Sequence, residues 1–372
     1  MKKFYPLVIF FGAIILISMG LYLVMSASST YSNALFSDQF HLFSSHLVRA
    51  GVGVAVLIAF SMIPYRVYKN GSKIILTAVV LVLFITLIVS LEVKGARRWL
   101  DIGIATFQPT EFAKLFLFLH IASMLADPEK DIRDFKKGFQ QALFWIVVTS
   151  GLVIAQPNIS NGILLISVSF LILFLAGAKF KHLFLSGAAL TSIMVLVMVF
   201  FSHSRARLQS YLDAIMNDGV ANSQVAQAIL GLGSGNWWGV GIGNSSQRNL
   251  FLPEAYGDFI FAILGEETGF IGAISLLFIY LVIFIVGLII AKNAKDSFGV
   301  YLSIGIICAF ITQAFVNALV AMGAIPTTGL TIPLVSYGGS SLIVFCMSFG
   351  ILINIGLNNL KETDELEAIQ KT

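Results

Sequence analysis

The fold is decided by residues 259–290, which read FIFAILGEETGFIGAISLLFIYLVIFIVGLII. Only two of these residues, Glu266 and Glu267, carry a charge. A helix needs about 20 consecutive apolar residues to cross the hydrocarbon core of a membrane. Because this run is longer than that, we predict a transmembrane helix whose first residues lie in the membrane interface.

Nine further apolar runs of roughly span length complete the pattern. Hydrophobic residues make up 58% of the 372 residues and charged residues only 11%, whereas a soluble domain carries about 25% charged residues. The sequence therefore predicts an all-α integral membrane protein with about ten transmembrane helices, in one polytopic domain over 1–372 that ends in a short tail, 359–372. The nine runs lie at 5–25, 45–63, 74–91, 108–126, 139–155, 161–178, 183–201, 298–320 and 341–358.

The first run follows a short basic N-terminus and could also be a secretory signal peptide ending near residues 26–28. We expect an uncleaved first helix instead, because the run is long and nine more spans follow. With the N-terminus inside, ten spans place both termini in the cytoplasm. Of the 23 Lys and Arg residues, 15 then fall in inner loops or at the inner ends, as the positive-inside rule requires. The net charge of +4 thus reports topology, and a nucleic-acid partner is not expected.

The other eight basic residues lie within spans or in outer loops, where such charges are normally scarce. Their clustering predicts an anionic ligand at the outer face. Two alternatives stay open: these side chains extend to lipid phosphates, or Lys114 pairs with Glu111 one helical turn away inside the bundle. The eight are Arg49, Lys94, Arg97, Arg98, Lys114, Arg205, Arg207 and Arg248.

One large extracytoplasmic segment, about 202–258, separates the apolar run 183–201 from the run 259–290. Its first part, RARLQSYLDAIMNDG, is typical of an amphipathic surface helix. Six glycines follow between Gly231 and Gly243, and they are expected to let the backbone turn tightly or approach a ligand. A nucleotide-binding loop is rejected for this run, because no strand precedes it and no helix with a ribose-binding acid follows.

Five motifs, spread over nearly the whole chain, resemble those of the SEDS family (shape, elongation, division and sporulation), with RodA and FtsW as its branches. Three stretches favour the FtsW branch: GARRWL in the first motif, GLT in the fifth motif, and GNSSQ at 243–247. The motifs are GARRWLDIG at 95–103, QPTEFAKL at 108–115, QPN at 156–158, LPEAYGDFIF at 252–261 with GEE at 265–267, and PTTGLTIP at 326–333 leading to SYGGSS at 336–341.

This resemblance implies a peptidoglycan glycosyltransferase of the bacterial cytoplasmic membrane, with multiple spans. Such enzymes polymerise lipid II, a disaccharide-pentapeptide on undecaprenyl pyrophosphate, at the outer face during division or elongation. The implied partners are a class B penicillin-binding protein, which crosslinks the product, and membrane proteins of the divisome or elongasome.

The resemblance also implies that Asp258 is the catalytic residue, in a motif where a carboxylate can act as a general base. Pyrophosphate leaves with negative charge, which basic side chains or a divalent cation (Mg²⁺ or Mn²⁺) stabilise. The candidate basic residues are Arg49, Arg97, Arg98, Lys114 and Arg248. The other candidate substrate-binding residues are Trp99, Glu111, Glu254, Ser336 and Ser340.

One position departs from the family pattern. Family members usually carry Asp where this chain has Asn158, and the change removes a negative charge. If that position binds a cation in the family, we expect weaker metal binding here.

Several of these residues have simpler explanations. Asp258 is also a suitable N-cap for the helix that follows it, and Trp99 is also a suitable interfacial anchor. For Glu266 and Glu267 we favour a structural role. The irregular segment 326–341 either lines a cavity or forms a re-entrant loop whose hydroxyls satisfy only the loop itself.

Two other functions compete with the enzyme. Ten helices with broken segments and charges inside the membrane also suit a transporter that flips lipid II, although a transporter site is expected near the midplane. The third function is a scaffold that only recruits a penicillin-binding protein.

Overall fold

The computed structural model describes residues 4–90, 98–101, 103, 106–200, 202–216 and 222–370, and within these ranges the side chains of 101, 197–200, 202–204, 215 and 360–370 are not described. Twelve α-helices account for most of this part of the chain. They are α1 (Tyr5–Phe36), α2 (His41–Met62), α3 (Val67–Val89), α4 (Pro109–Leu125), α5 (Gln140–Ala155), α6 (Ile159–Leu175), α7 (Phe180–Phe200), α8 (Ser202–Met216), α9 (Ser223–Ser234), α10 (Ile260–Lys292), α11 (Ser297–Ala321) and α12 (Gly339–Gln370). A π-helical turn, Phe135–Phe139, leads into α5, and two short strands, β1 (Leu100–Asp101) and β2 (Thr106–Phe107), pair antiparallel.

Each of the ten predicted spans lies on a helix: α1 to α7 and α10 to α12. Seven helices of the described residues are long and apolar enough to cross a membrane, with α5 counted together with the π-helical turn. α4, with 17 residues, and the apolar parts of α6 and α7 are shorter. The prediction of an all-α, multi-span membrane protein is confirmed.

For α10, the helix that follows the segment 202–258, the structure adds a feature that the sequence did not predict. The helix begins at Ile260, as the apolar run indicated, but it breaks at Gly269, whose φ of 71° and ψ of −170° are not helical. The residues before the break therefore form a short separate helix, and the long apolar part follows it.

α12 forms the centre of the bundle. It packs against α2, α1, α4, α10 and α11, and 83% of its apolar part is buried. The apolar parts of α2 and α3 are only 28% and 22% buried, and they expose large hydrophobic side chains such as Leu81 and Ile88. A helix that exposes so many apolar side chains is suited to lipid contact rather than to water.

The two ends of the bundle differ in character. At one end, short connections are joined by contacts such as the ion pair from Arg66 Nε to Asp296 Oδ2, 3.0 Å long, and the hydrogen bond from Lys69 Nζ to the Ala126 carbonyl. At the other end, which we call the loop end, the described residues of the segments 98–108, 156–158, 202–258 and 322–338 meet. All four segments fall within predicted outer loops.

Candidate active site

Asp258 lies at the loop end, two residues before α10 begins. The N-cap residue of α10 is Phe259 rather than Asp258. The Asp258 backbone carbonyl accepts a hydrogen bond of 2.7 Å from Asn317 Nδ2 of α11. Its Oδ2 atom lies 3.5 Å from the place where a Cβ on Gly329 would sit, so the carboxylate lies against the segment 326–330.

Two arginines from separate segments interact electrostatically with this carboxylate. Asp258 interacts electrostatically with both Arg98, in the loop before β1, and Arg207 of α8. Burial lowers the pKa of the Arg98 guanidinium to about 10, the neighbouring Arg207 lowers it as well, and Asp258 acts in the opposite direction. Burial also lowers the pKa of Arg207, again opposed by Asp258. The site therefore combines one carboxylate with two guanidinium groups.

Backbone carbonyls hold both guanidinium groups in place. Arg98 Nε donates to the Gln156 carbonyl at 3.2 Å, and Arg98 Nη2 donates to the Pro157 carbonyl. Arg207 Nη1 donates to the Thr327 carbonyl at 3.4 Å. These contacts anchor each arginine to a distant part of the sequence: Arg98 to the QPN motif and Arg207 to the segment 326–328.

The two arginines line a cavity of about 190 Å³ at the loop end. Asn158 also lines it, and the Asn158 amide oxygen accepts a hydrogen bond of 3.0 Å from Asn161 Nδ2. The Asn158 Nδ2 atom is buried and has no hydrogen-bond partner. An unpaired buried donor beside two cations favours an anionic ligand. The cavity lining comprises Arg98, Pro157, Asn158, Ile159, Ser160, Ile163, Arg207, Leu208, Ile325, Pro326, Thr327 and Thr328.

A second cavity, of about 170 Å³, lies beside the segment that leads to Asp258. Arg248 and Glu254 line it together with Tyr31 and Tyr256, whose rings are 5.4 Å apart. Arg248 Nη1 donates to Ser26 Oγ at 3.4 Å. The structure thus brings these two predicted substrate-binding residues together in a cavity that Arg98 does not line.

Glu111 and Lys114 form an ion pair inside the bundle. Their side chains are 5% and 4% exposed, and Lys114 Nζ lies 2.9 Å from the Glu111 carboxylate. Lys114 Nζ also donates to Gln313 Oε1 at 2.9 Å. Neither residue lines the cavity of Arg98 and Arg207. The geometry favours the internal pair that the three-residue spacing allowed, and a contact of either residue with substrate stays a prediction.

Ser336 and Ser340 use their hydroxyls within the protein. Ser336 Oγ accepts a hydrogen bond of 2.9 Å from the Ile332 amide, and Ser340 Oγ accepts one of 2.9 Å from the Gln108 amide. The Ser336 contact agrees with the alternative in which the irregular segment satisfies only itself, whereas the Ser340 contact joins it to the neighbouring segment before α4. Contact of the two serines with substrate stays a prediction.

The remaining predicted residues lie at the edges of the site. The Arg49 guanidinium carbon sits 4.9 Å from the centre of the Tyr337 ring, a typical cation–π distance. Trp99 follows Arg98 and is 37% exposed, which suits an anchor as well as a ligand contact. Arg97 lies outside the described residues.

Glu266 and Glu267 have the structural role that we favoured from the sequence. Glu266 accepts hydrogen bonds from the Ser245 hydroxyl and from the Ser246 amide. Glu267 accepts from Tyr22 Oη at 2.8 Å and from Ser26 Oγ at 2.5 Å. The two carboxylates therefore tie the outer segment and α1 to the first turns of α10.

The glycine run packs against the break in α10. The Val240 amide donates to the Glu266 carbonyl at 2.9 Å, and the Phe270 amide donates to the Asn236 carbonyl at 2.8 Å. A Cβ on Gly269 would lie 2.5 Å from the Trp237 carbonyl oxygen, so only glycine allows this approach. The prediction of tight turns is correct, but the backbone that these glycines approach is that of α10.

Substitution of Gly269 tests this packing. Gly269→Ala combines a backbone conformation that costs about 1–3 kcal/mol for other residues with a clash against the backbone, so we expect a lower thermal unfolding midpoint. Gly233→Ala is the matched control, because it lies in α9 with no atom within 4 Å of its Cβ position. There the exchange is expected to stabilise by about 0.5–1 kcal/mol. Equal midpoints for the two variants would contradict the packing role.

Sequence reasoning missed two residues of the site. Arg207 was counted among the outer basic residues but was not selected, although its place on an amphipathic helix was a usable signal. Asn317, 1% exposed within α11, gave a weaker signal: one amide inside an apolar run.

The described residues do not form a divalent cation site. Among them, no three His, Cys, Asp or Glu side chains group closely enough to hold a metal ion. Mg²⁺ prefers several oxygen ligands, whereas Asp258 faces two guanidinium groups and the Asn158 oxygen already accepts a hydrogen bond. Dependence of the protein on Mg²⁺ or Mn²⁺ stays a prediction.

The fold and the site together define a polytopic α-helical membrane protein with a cavity lined by two arginines at one end of its bundle. The chain belongs to the FtsW/RodA/SpoVE family of cell cycle proteins, whose model matches residues 6–361.

Relatives with similar sequences extend over most of the chain. Stage V sporulation protein E of Bacillus subtilis is 33% identical over 344 residues, which cover 92% of this chain and 94% of that protein. The probable peptidoglycan glycosyltransferase FtsW of Idiomarina loihiensis is 34% identical over 357 residues, or 95% of this chain and 87% of the relative. The resemblance to the family is therefore confirmed, and the FtsW-named relatives support the FtsW branch.

Two solved structures share the fold. A chain of a peptidoglycan synthase complex, studied for the coordination of polymerization and crosslinking, superposes with a TM-score of 0.74 at 24% identity, covering 94% of this chain and 98% of that one. The rod shape determining protein RodA of Thermus thermophilus gives a TM-score of 0.69 at 23% identity, covering 95% and 96%.

Proposed function

We propose that this protein is a peptidoglycan glycosyltransferase that polymerises lipid II into glycan strands. The observation that carries the proposal is a single carboxylate, Asp258, that interacts electrostatically with Arg98 and Arg207. These two arginines line a cavity at the loop end, and Asp258 lies next to that cavity without lining it. The names of the FtsW relatives support the same activity.

The geometry suits a displacement at a sugar carbon with pyrophosphate as the leaving group. Asp258 takes the proton of a sugar hydroxyl on one lipid II as general base. The hydroxyl oxygen then forms a bond to the anomeric carbon of the growing chain, and the bond from that carbon to the pyrophosphate oxygen breaks. Attack from the opposite face converts the α-linked donor into a β-linked product.

The electron pair leaves with the polyprenyl pyrophosphate, whose developing charge Arg98 and Arg207 stabilise. Pyrophosphate needs no proton to depart, so one carboxylate is sufficient, whereas a glycosidase requires two. The unpaired Asn158 Nδ2 donor adds a neutral contact for a phosphate oxygen.

The size of the cavity limits what it holds. Pockets for whole drug-sized ligands run from about 300 to 1,000 Å³, and this cavity has about 190 Å³. It therefore takes the pyrophosphate and adjoining atoms, with the rest of the substrate outside. Ile163, Leu208 and Ile325 give the lining an apolar side, which suits the start of the polyprenyl chain.

The proposed location is the bacterial cytoplasmic membrane, with the loop end outside and both termini in the cytoplasm. The positive-inside distribution of Lys and Arg supports this orientation. We further propose that the protein works with a class B penicillin-binding protein, which crosslinks the strands, within the divisome or the elongasome. The synthase complex that shares this fold supports such a partnership.

Reconstitution tests the proposal and separates it from its competitors. The purified protein is incubated in vesicles with fluorescent lipid II, with and without a co-purified class B penicillin-binding protein and with Mg²⁺ or Mn²⁺ added or chelated. We expect glycan polymer on a gel. Movement of lipid II across the bilayer without polymer would favour the flippase instead, and recruitment of the partner with neither activity would favour a scaffold.

A further inference from the structure

Two buried amide side chains stand one helical turn apart on α11, next to the candidate site. Gln313 and Asn317 are each 1% exposed, and their four-residue spacing puts them on the same face of the helix. A polar group buried in a membrane bundle is costly unless it makes its hydrogen bonds. The partners of these two amides therefore indicate what the amides do.

Asn317 joins the two backbone segments that meet at the carboxylate. Its Nδ2 atom donates to the Asp258 carbonyl at 2.7 Å and to the Leu330 carbonyl at 2.6 Å. The first segment leads into α10. The second continues from Thr327 and Thr328, which line the cavity. One amide thus fixes the distance between the backbone of Asp258 and the wall of the cavity.

Gln313 extends this connection to the buried ion pair. Its Nε2 atom donates to the Thr331 carbonyl at 3.0 Å, and its Oε1 atom accepts from Lys114 Nζ at 2.9 Å. Lys114 is in turn paired with Glu111. Hydrogen bonds therefore run from α4 through Gln313 to the Thr331 carbonyl, which follows directly on the Leu330 carbonyl that Asn317 binds.

We propose that Asn317 and Gln313 are positioning residues for Asp258, and that Lys114 acts through Gln313 rather than on the substrate. Asp258 lies in a turn before α10, and the Asn317 amide holds its backbone carbonyl there. The two amides hold its backbone and the segment 328–331 together, which keeps the carboxylate facing Arg98 and Arg207.

A matched pair of variants tests the proposal, which rests on the proposed function for its kinetic readout. Asn317→Leu keeps the volume and removes the donor. Asn354→Leu is the control: Asn354 is also buried, donates to the Ser61 carbonyl at 2.8 Å and accepts from the Tyr65 amide at 2.9 Å, but it lies at the opposite end. We expect both variants to lose thermal stability.

Only Asn317→Leu is expected to lower kcat for lipid II polymerisation, by about 10- to 100-fold, the size of effect that a misplacement of about 1 Å produces. KM should be unchanged, because the cavity arginines are retained. Gln313→Leu should likewise lower kcat and leave KM unchanged. Asn317→Ser, which keeps one donor, should fall between Asn317→Leu and the unmodified protein, and it is the variant to use if the leucine variant does not fold.

Hydrogen–deuterium exchange gives a readout that does not depend on activity. Backbone amides of 256–259 and 329–331 should exchange faster in Asn317→Leu than in Asn354→Leu. An unchanged kcat in Asn317→Leu, an equal loss of kcat in both variants, or unchanged exchange in these segments would overturn the proposal. If the unmodified protein forms no polymer, the proposed function fails, whereas the exchange comparison still decides whether Asn317 positions the Asp258 backbone.

Discussion

Asp258→Asn is expected to reduce the rate of glycan polymerisation by about 10²- to 10⁴-fold, the usual contribution of general acid–base catalysis. The amide keeps the size of the carboxylate but cannot take the proton of the attacking hydroxyl. Because the substitution also removes a negative charge beside Arg98 and Arg207, affinity for lipid II should be retained or increased.

The matched control for this prediction is Asp213→Asn. Asp213 is an exposed carboxylate on α8 at the same end of the bundle, so its substitution makes the same chemical change outside the site. The measurements are polymer yield from purified lipid II, lipid II binding and co-purification of the penicillin-binding protein. Full polymerisation by Asp258→Asn would rule out the general-base role, and loss of binding together with activity would point to a structural one.

Arg207→Ala is expected to slow polymerisation by about 10²- to 10³-fold, as loss of one group that stabilises transition-state charge typically does. The same variant should bind lipid II less tightly, because Arg207 lines the cavity. Arg207→Lys should recover only part of the rate, since lysine restores the charge but not the planar set of donors.

Arg205→Ala is the control for Arg207→Ala. Arg205 lies on the same helix and is exposed, and a basic residue near a membrane surface contributes about 1 kcal/mol to attraction of anionic lipid, or roughly fivefold. The kinetic constants of the two variants in detergent at two salt concentrations separate the roles. Equal losses in both would show that the arginines act only through general surface charge.

The transmembrane helices could be predicted because the length of an apolar run reports the thickness of the bilayer directly. The residues at which the helices end were harder to predict. α1 continues to Phe36, beyond the predicted end at residue 25, since its more polar last turns are stabilised by contacts such as Ser26 with Glu267. α9 was not predicted, because its glycines weaken the helical signal.

Within the site, a contact between residues close in sequence could be predicted from their spacing, whereas contacts between distant residues could not. Lys114 and Glu111 are three residues apart, so their ion pair could be anticipated. Asp258 was singled out by the resemblance of its motif. Arg207 and Asn317 reach Asp258 from segments about 50 to 60 residues away along the chain, and only the packing of α8 and α11 brings them there.

The most direct test of the account is the stoichiometry of the reaction at the cavity. Purified protein is incubated with lipid II, and the polyprenyl pyrophosphate released is compared with the glycosidic bonds formed in the polymer. In the proposed displacement, Asp258 acts as the base and Arg98 and Arg207 stabilise the leaving group. This mechanism predicts that one polyprenyl pyrophosphate is released for every glycosidic bond formed. Lipid II that crosses the bilayer intact, with neither pyrophosphate lipid nor polymer formed, would contradict it.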